Sequence, residues 1–245
     1  MAALFISDLH LCPTRPAVSR LFLDFLRGPA QRADELSILG DLFEYWAGDD
    51  DLDDPFVAVM CEALAALADD GVATFFMRGN RDFLAGDGFA RRTGAALLDD
   101  PALRPIEGVP TLLMHGDTLC TDDADYQEFR SMVRSPRWQQ QFLARPLAER
   151  KRMIEELRRR SEEAKSVKAE AIMDVNEDAV AAALRAHAYP RLIHGHTHRP
   201  AQHLHQVDGR KCERWVLADW YDRGSYLECD GSACCSVPFP APIQT

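Results

Sequence analysis

Four short β-rich runs each end in a polar cluster, and this placement constrains the fold more than any other feature of the sequence. The runs are ALFI (3–6), ELSIL (35–39), VATFFM (72–77) and TLLMH (111–115). They alternate with helical stretches, as is typical of parallel βαβ units. Ligands of such sheets bind beyond the carboxyl ends of the strands. The clusters SDLH, GDLF, RGNRD and HGD that end the runs therefore predict a functional site in an α/β fold.

Composition narrows the class of protein further. A chain of 245 residues with 47% hydrophobic side chains predicts one domain with a single core and an additional segment attached to it. The net charge of −11 argues against broad nucleic-acid binding, because phosphate backbones are held chiefly by an excess of Lys and Arg. The N-terminus lacks a basic, apolar leader and no run reaches the roughly 20 apolar residues of a spanning helix, so we expect a soluble, cytosolic protein. Seven scattered cysteines without a CxxC pair predict reduced thiols.

The second half of the chain changes character. Residues 123–187 predict a long helical block with helix boundaries at Pro136 and Pro146. Residues 134–168 include eleven basic and five acidic side chains, so this segment is positively charged whereas the whole chain is negatively charged. The later strands WVLADW, SYLEC and CCSVPF predict a second, more antiparallel sheet. The acidic run DDDLDD (49–54) predicts a solvated loop.

The polar clusters and the segment LIHGHTHRP (192–200) together supply a set of potential metal ligands. These are Asp8, His10, Asp41, Asn80, His115, His196 and His198. Nitrogen and oxygen donors without thiolate suit Mn²⁺, Fe²⁺ or Zn²⁺. The set exceeds the needs of one ion, but two ions about 3.5 to 4 Å apart and bridged by one carboxylate would use it fully. Such a centre keeps about one positive charge after two carboxylates and a hydroxide are counted, which suits an anionic substrate.

The motifs D-x-H, GD, GN, HG and GHxH, in this order over residues 8–198, resemble the calcineurin-like binuclear metallophosphoesterases. The resemblance implies that one metal is held by Asp8, His10, Asp41 and His198, and the other by Asp41, Asn80, His115 and His196. Asp41 would be the bridge, and a hydroxide between the ions would attack phosphorus in line. Because these residues fill both sites, His194 is expected to pack or hydrogen-bond at the strand end.

Arg81 follows Asn80 where many phosphomonoesterases of this family have a histidine. That histidine protonates an alkoxide leaving group, which an arginine cannot do near neutral pH. Arginine can neutralise charge on phosphoryl oxygens, and this suffices when the leaving group is itself a phosphate. The sequence therefore favours pyrophosphate cleavage over ester cleavage, with Arg81 and Asn80 as catalytic residues.

A finer resemblance covers nearly the whole chain. ISDLHL, LGDLFEYWAGDD, GNRDFL, MHGDTLCTDDADYQEFR, AIMDVN and LIHGHTHRP are similar to the UDP-2,3-diacylglucosamine pyrophosphohydrolases of lipid A synthesis. The resemblance implies hydrolysis of that substrate to UMP and 2,3-diacylglucosamine 1-phosphate (lipid X), usually with two Mn²⁺. It also implies a four-layer αββα sandwich, formed by a single domain over 1–245 with a helical lid inserted at 123–172. The protein would be a monomer that contacts the cytoplasmic face of the inner membrane peripherally.

The lid helix carries one stripe that changes from apolar to polar. The stripe begins with the apolar residues Leu147, Ile154 and Leu157 and continues with the polar residues Ser161, Lys165 and Lys168. Acyl chains could contact its apolar end, and sugar and phosphate its polar end. The resemblance implies substrate contacts from a wider set: Asn80, Arg81, Asp123, Ser161, Lys165, Lys168 and His196. The family commonly has Asn at the position of Lys165. A solvated basic helix, and a helix-capping role for Asp123, remain open alternatives.

The same set of metal ligands is also compatible with other functions. A nuclease or a cyclic-nucleotide phosphodiesterase would need a basic or open groove, and a protein phosphatase would favour histidine at position 81. A binding module without catalysis would be expected to have lost metal ligands. Asp82 and Asp117 are candidates for orienting the metal-binding imidazoles.

Overall fold

The computed structural model describes residues 2–165, 174–221, 223–231 and 233–239, and their strands form two sheets. The strands are β1 Ala2–Ile6, β2 Glu35–Ile38, β3 Ala73–Met77, β4 Ala96–Leu98, β5 Ala102–Ile106, β6 Val109–Met114, β7 Arg191–His194, β8 Ala201–Val207, β9 Arg210–Val216, β10 Gly224–Asp230 and β11 Ala233–Phe239. One sheet has the order β11-β10-β1-β2-β3-β4 and the other β5-β6-β7-β9-β8. Strands β1 to β4 are parallel, as are β6, β7 and β9.

Helices cover the outer faces of both sheets. They are α1 Pro16–Arg27, α2 Pro55–Asp69, α3 Asp87–Thr93, α4 Ala124–Arg134, α5 Pro136–Leu143, α6 Leu147–Lys165 and α7 Glu177–Ala186. Apolar side chains of α1, α2 and α3 share one buried cluster with β1, β2 and β3. Those of α7 share another with β6 and β7. A third cluster, which includes Phe5, Met77 and Ile193, fills the space between the sheets. These layers confirm the predicted αββα sandwich.

The assignment of strands to sheets differs from the expectation in two places. β10 and β11 do not close the second sheet, because β10 pairs antiparallel with β1 and places Leu227 opposite Phe5. β6 does not continue the series β1 to β3, because it lies between β5 and β7 in the other sheet. Local alternation predicts that a strand exists, whereas its partner is chosen by contacts distant in sequence.

One pair of cysteines also departs from the expectation of reduced thiols. Cys229 and Cys234 face each other in the β10–β11 hairpin, with their Cα atoms 4.1 Å apart, and are disulfide-bonded. The hairpin register creates this pair, and a count of cysteines does not show it. The remaining five cysteines are free: Cys12, Cys61, Cys120, Cys212 and Cys235.

Helices α4, α5 and α6 lie between β6 and β7 in the chain, and α5 begins at Pro136 as predicted. The acidic run at 49–54 fastens α6 to the sandwich. The buried guanidinium of Arg150 donates to the Ala47 carbonyl and to Asp50, and Lys151 Nζ lies 2.8 Å from Asp51 Oδ2. The expectation of a solvated loop was therefore wrong, because the basic partners come from a helix about one hundred residues later. None of the described helices combines the length and apolarity needed to cross a membrane.

Candidate metal centre and active-site cavity

The carboxyl ends of β1, β2 and β3 in one sheet meet those of β6 and β7 in the other, and the predicted ligands converge there. Each ligand lies 2.9 to 3.9 Å from the next in a continuous spatial series, which runs Asp8, His198, His10, Asp41, His115, Asn80 and His196. The structure therefore brings together all the side chains that the sequence predicts as ligands.

Asp41 occupies the middle of this cluster. Its Oδ2 atom lies 3.9 Å from His10 Nε2, and its Oδ1 atom lies 3.8 Å from His115 Nε2. Asp8 and His198 are on the His10 side, with His198 Nε2 3.4 Å from Asp8 Oδ1. The carboxylate of Asp41 is thus placed to serve two adjacent sets of donors, as a bridging ligand must.

The backbone at these positions is unusual. Nine non-glycine residues have positive φ in the described part of the chain, and five of them are predicted ligands, namely Asp8, His10, Asp41, His196 and His198. Left-handed backbone is uncommon outside glycine and costs free energy, and it concentrates at functional sites. The backbone of these loops therefore adopts an unfavourable conformation at the residues whose side chains form the cluster.

Two glycines allow the loops to approach closely. A Cβ atom on Gly79 would collide with the carboxylate of Asp41, and one on Gly195 would collide with Ser7 and Asp8. Glycine at both positions therefore permits this close approach. Asp8 Oδ2 consequently accepts a hydrogen bond from the His196 amide at 2.8 Å.

The charges of the cluster depend strongly on one another. Burial raises the pKa of Asp41 to about 7, and the neighbouring carboxylate of Asp82 adds to this effect. Burial alone would lower the pKa of His115, but the carboxylates of Asp41, Asp117 and Asp8 together outweigh it, and the pKa is about 9. His198 behaves likewise, because Asp219 and other carboxylate contacts raise its pKa to about 9 against burial. Such concentrated, buried charge suits a cation that the carboxylates can share.

The donor set fits a divalent metal. Asp8 is fully buried and its Oδ1 atom has no hydrogen-bond partner, although it points into the cluster. His10 Nε2 and His198 Nε2 face each other at 3.3 Å, and both can offer lone pairs to one ion. Two groups of donors lie close enough to hold an ion: Asp8, His10 and His198, and Asp8, Asp41 and His115. The second group includes Asp8, which the sequence resemblance implied only for the set with His10 and His198.

Several partners of the imidazoles were missed from the sequence. Glu44 Oε2 lies 3.4 Å from His10 Nδ1, and Asp219 Oδ2 lies 3.4 Å from His198 Nδ1. The Leu39 carbonyl lies 2.9 Å from His115 Nδ1. Each contact is on the ring nitrogen away from the cluster, where a nearby carboxylate or carbonyl favours one orientation of the ring. Only the position of Glu44, in the motif that contains Asp41, could have suggested its role.

Among the described residues, Asp82 and Asp117 accept hydrogen bonds from groups of the site other than the ligand imidazoles. Asp82 accepts hydrogen bonds from the backbone amides of Leu42 and Gly79, both at 2.8 Å, and so joins two ligand loops. Asp117 accepts from the Tyr126 hydroxyl at 2.8 Å. Sequence adjacency to a ligand therefore identified residues that support the site, but not the groups that they contact.

His194 points away from the cluster. It is fully buried, and burial lowers its pKa to about 4. Its Nδ1 atom lies 2.9 Å from the Gly195 carbonyl and its Nε2 atom 3.2 Å from the guanidinium of Arg214. These contacts agree with the prediction that His194 hydrogen-bonds at the strand end.

This difference predicts unequal effects of two histidine substitutions. His198→Ala should lose one bound metal, because it removes a donor that faces Asp8 and His10. His194→Ala should keep both metals, because its ring atoms contact Gly195 and Arg214 instead. Metal content after gel filtration distinguishes the two. Loss of metal from the His194 variant, with the His198 variant intact, would reverse the assignment.

A cavity of about 530 Å³ opens from the candidate metal centre toward the helices α4, α5 and α6. Asn80, Arg81 and His196 line its polar end. The apolar part of its wall is formed by Phe83, Phe129, Val133, Trp138, Phe142, Ile154 and Leu157. Ile154 and Leu157 thus contribute to the cavity as the apolar stripe of α6 predicts.

The remaining predicted substrate contacts divide into two groups. Asp123 lines the cavity and also caps α4 by accepting from the Tyr126 amide at 3.2 Å, so both of its expected roles are compatible with the structure. Ser161 and Lys165 belong to α6, but their side chains lie outside the described residues, as does the whole of Lys168. Their substrate contacts stay predictions.

The chain is similar to a family of known proteins. The model of the calcineurin-like phosphoesterase family matches residues 1–200. A protein of Aromatoleum aromaticum named UDP-2,3-diacylglucosamine hydrolase is 60% identical over 95% of this chain and 94% of its own. A protein of the same name from Chromobacterium violaceum is 52% identical over 97% and 99%, respectively. The crystal structure of a dimetal phosphatase from Danio rerio is 12% identical, covers 98% of this chain and 99% of its own, and has a TM-score of 0.48. The chain belongs to the calcineurin-like phosphoesterases, a family of hydrolases, in the branch whose curated members are named UDP-2,3-diacylglucosamine hydrolase.

Proposed function

We propose that this protein hydrolyses the pyrophosphate of UDP-2,3-diacylglucosamine to UMP and 2,3-diacylglucosamine 1-phosphate. The observation that carries the proposal is the continuity between a cluster of metal ligands and a cavity with a polar and an apolar end. The similar proteins from Aromatoleum aromaticum and Chromobacterium violaceum are named for hydrolysis of the same substrate.

The two ends of the cavity match the two chemical halves of this substrate. Burial of each acyl methylene contributes about 0.8 kcal/mol, so a wall of aromatic and aliphatic side chains favours a lipid strongly. A nucleic acid or a phosphopeptide would gain little from such a wall. The helices α4, α5 and α6, which fall within the predicted lid of 123–172, would then cover the acyl chains, within a single domain of 1–245.

The residues at the polar end have distinct tasks in this reaction. A bound metal pair supplies Lewis acidity and an activated water. The guanidinium of Arg81, at the junction of the metal centre and the cavity, neutralises charge that develops on the phosphoryl oxygens. Asn80 directs its Oδ1 atom toward His115 and His196, which leaves its amide N–H groups for a substrate oxygen. The departing sugar phosphate has a second pKa of about 6 and therefore needs no proton donor.

We further propose that the metals are two Mn²⁺ ions, although the same nitrogen and oxygen donors would accept Fe²⁺ or Zn²⁺. The protein would act as a monomer in the cytoplasm, peripherally bound to the inner membrane. Met132 on α4, Arg137 and Leu143 on α5, and Arg145 just after α5 are all exposed. A helical segment that exposes both apolar and basic side chains is typical of surfaces that contact anionic lipid.

A substrate panel tests the proposed function. With Mn²⁺, turnover of UDP-2,3-diacylglucosamine should exceed that of a nitrophenyl phosphate ester and of a short DNA duplex. In ¹⁸O-labelled water the label should enter UMP, which is expected if the uridylyl phosphorus is attacked. Equal or faster turnover of the ester or the DNA would refute the substrate assignment, and label found only in the sugar phosphate would refute the site of attack.

A further inference from the structure

The carboxylate of Glu44 lies at the junction of the metal centre, the cavity and helix α6. It follows Asp41 by three residues, and its amide donates to the Leu11 carbonyl at 3.1 Å, which places its side chain beside the loop of His10. Only 9% of Glu44 is exposed. A carboxylate so enclosed needs charged or hydrogen-bonding partners, and Glu44 has them on both oxygens.

The first oxygen faces a predicted metal ligand. Glu44 Oε2 lies 3.4 Å from His10 Nδ1, while His10 Nε2 faces Asp41 and His198. An imidazole that binds a metal through Nε2 keeps its proton on Nδ1, and a carboxylate close to that nitrogen favours this tautomer and this orientation of the ring. At 3.4 Å the contact with Glu44 is electrostatic rather than a hydrogen bond. Glu44 is therefore placed to orient His10 toward the metal.

The second oxygen is shared by two arginines from distant parts of the chain. Glu44 Oε1 lies 3.7 Å from Arg81 Nη1 and 2.7 Å from Arg158 Nη2. Arg81 belongs to the loop after β3, whereas Arg158 is on α6. One carboxylate thus joins a metal ligand, the proposed catalytic arginine and the helix that covers the cavity.

We propose that Glu44 is a positioning residue that couples the placement of α6 to the metal centre. When Arg158 holds Oε1, the carboxylate is kept in the orientation that directs Oε2 to His10. When Arg158 is removed, the carboxylate of Glu44 can rotate toward Arg81, and the contact between Oε2 and His10 Nδ1 weakens. The position of α6 over the cavity would in this way affect the metal site formed by Asp8, His10, Asp41 and His198.

The chain offers a matched control on the same helix. Lys151 also joins α6 to the sandwich, with its Nζ atom 2.8 Å from Asp51, and its side chain is about as exposed as that of Arg158. Among the described residues its ammonium pairs with Asp51 and Asp54, and not with Glu44. A general loosening of α6 would appear in both the Lys151 and the Arg158 variants, whereas the proposed coupling appears only in the latter.

Mn²⁺ titration of the purified full chain tests the proposal without any substrate. Glu44→Gln, which keeps the shape of the side chain, should weaken one of two Mn²⁺ sites about tenfold, as expected when the carboxylate behind a ligating imidazole is lost. Arg158→Met should weaken the same site about threefold, the effect of a partly exposed ion pair. In the double variant Arg158→Met should add nothing to Glu44→Gln, because both act through one carboxylate. Lys151→Met should match the unmodified protein.

Several results would overturn the coupling. These are unchanged Mn²⁺ affinity in Glu44→Gln or in Arg158→Met, additive losses in the double variant, or an equal loss in Lys151→Met. The proposal rests on the proposed function only for the role of Arg81 in turnover. If the titrations give the expected pattern but UDP-2,3-diacylglucosamine is not hydrolysed, the coupling stands and only the substrate is wrong.

Discussion

Asp41→Asn should release metal from both halves of the centre and lower turnover more than about 1000-fold, because Lewis acidity contributes several kcal/mol and about 1.4 kcal/mol is a factor of ten. The Asp41 carboxylate lies between His10 and His115, with one oxygen toward each. An amide has the same shape but lacks the charge that two cations would share. Metal content and kcat, measured on the same preparation, check this expectation.

The outcome also tests the shared position of Asp41. Loss of one metal only would mean that Asp41 serves a single ion, and retention of both would contradict the bridging role. Asp208→Asn is a suitable control, because Asp208 pairs with Arg185 and Tyr189 on the surface. It should keep both metals and full turnover.

The layers of the fold could be predicted from local patterns, but the neighbours within each sheet could not. The run ALFI is apolar on both faces, which indicates a strand buried on both sides, and it lies in β1, whereas ELSIL alternates polar and apolar residues up to Ile38 and forms β2. The placement of β10 beside β1 depends on contacts between residues more than 200 positions apart. No periodicity in either segment contains that information.

The metal centre could be predicted once the parallel strands were predicted. Polar residues at the ends of parallel strands meet at one edge, so Asp8, Asp41 and Asn80 could be grouped without knowing the exact topology. The groups behind the ligands were not predictable in this way. Asp219 contacts His198 from the loop after β9, and glutamate or aspartate in a loop is too common to identify by type.

The acidic run at 49–54 shows how a missing partner changes an interpretation. Considered locally, six residues with five aspartates indicate a solvated loop. In the fold, Asp54 caps α2, Asp49 accepts from the indole of Trp46, and Asp50 and Asp51 bind α6. The segment is therefore part of the attachment of the helices that cover the cavity.

Arg81→Ala should lower kcat about 100-fold or more, the loss seen when one preorganised donor to a developing charge is removed. It should leave metal content unchanged. The reason is that Arg81 meets Asp41 through its backbone amide, at 2.8 Å, whereas its side chain contacts Glu44 at 3.7 Å and lines the cavity. Substitution by alanine keeps the amide and removes only the guanidinium.

Comparison with Arg92→Ala and Arg81→Lys separates the possible causes. Arg92 pairs with Glu62 on the surface, so its loss should affect neither metal nor kcat. Lysine at position 81 restores the charge without the planar fork of donors and should recover only part of the turnover. If metal content in Arg81→Ala falls in proportion to kcat, the arginine acts by holding the ligand loop, and its role in neutralising the phosphoryl oxygens is wrong.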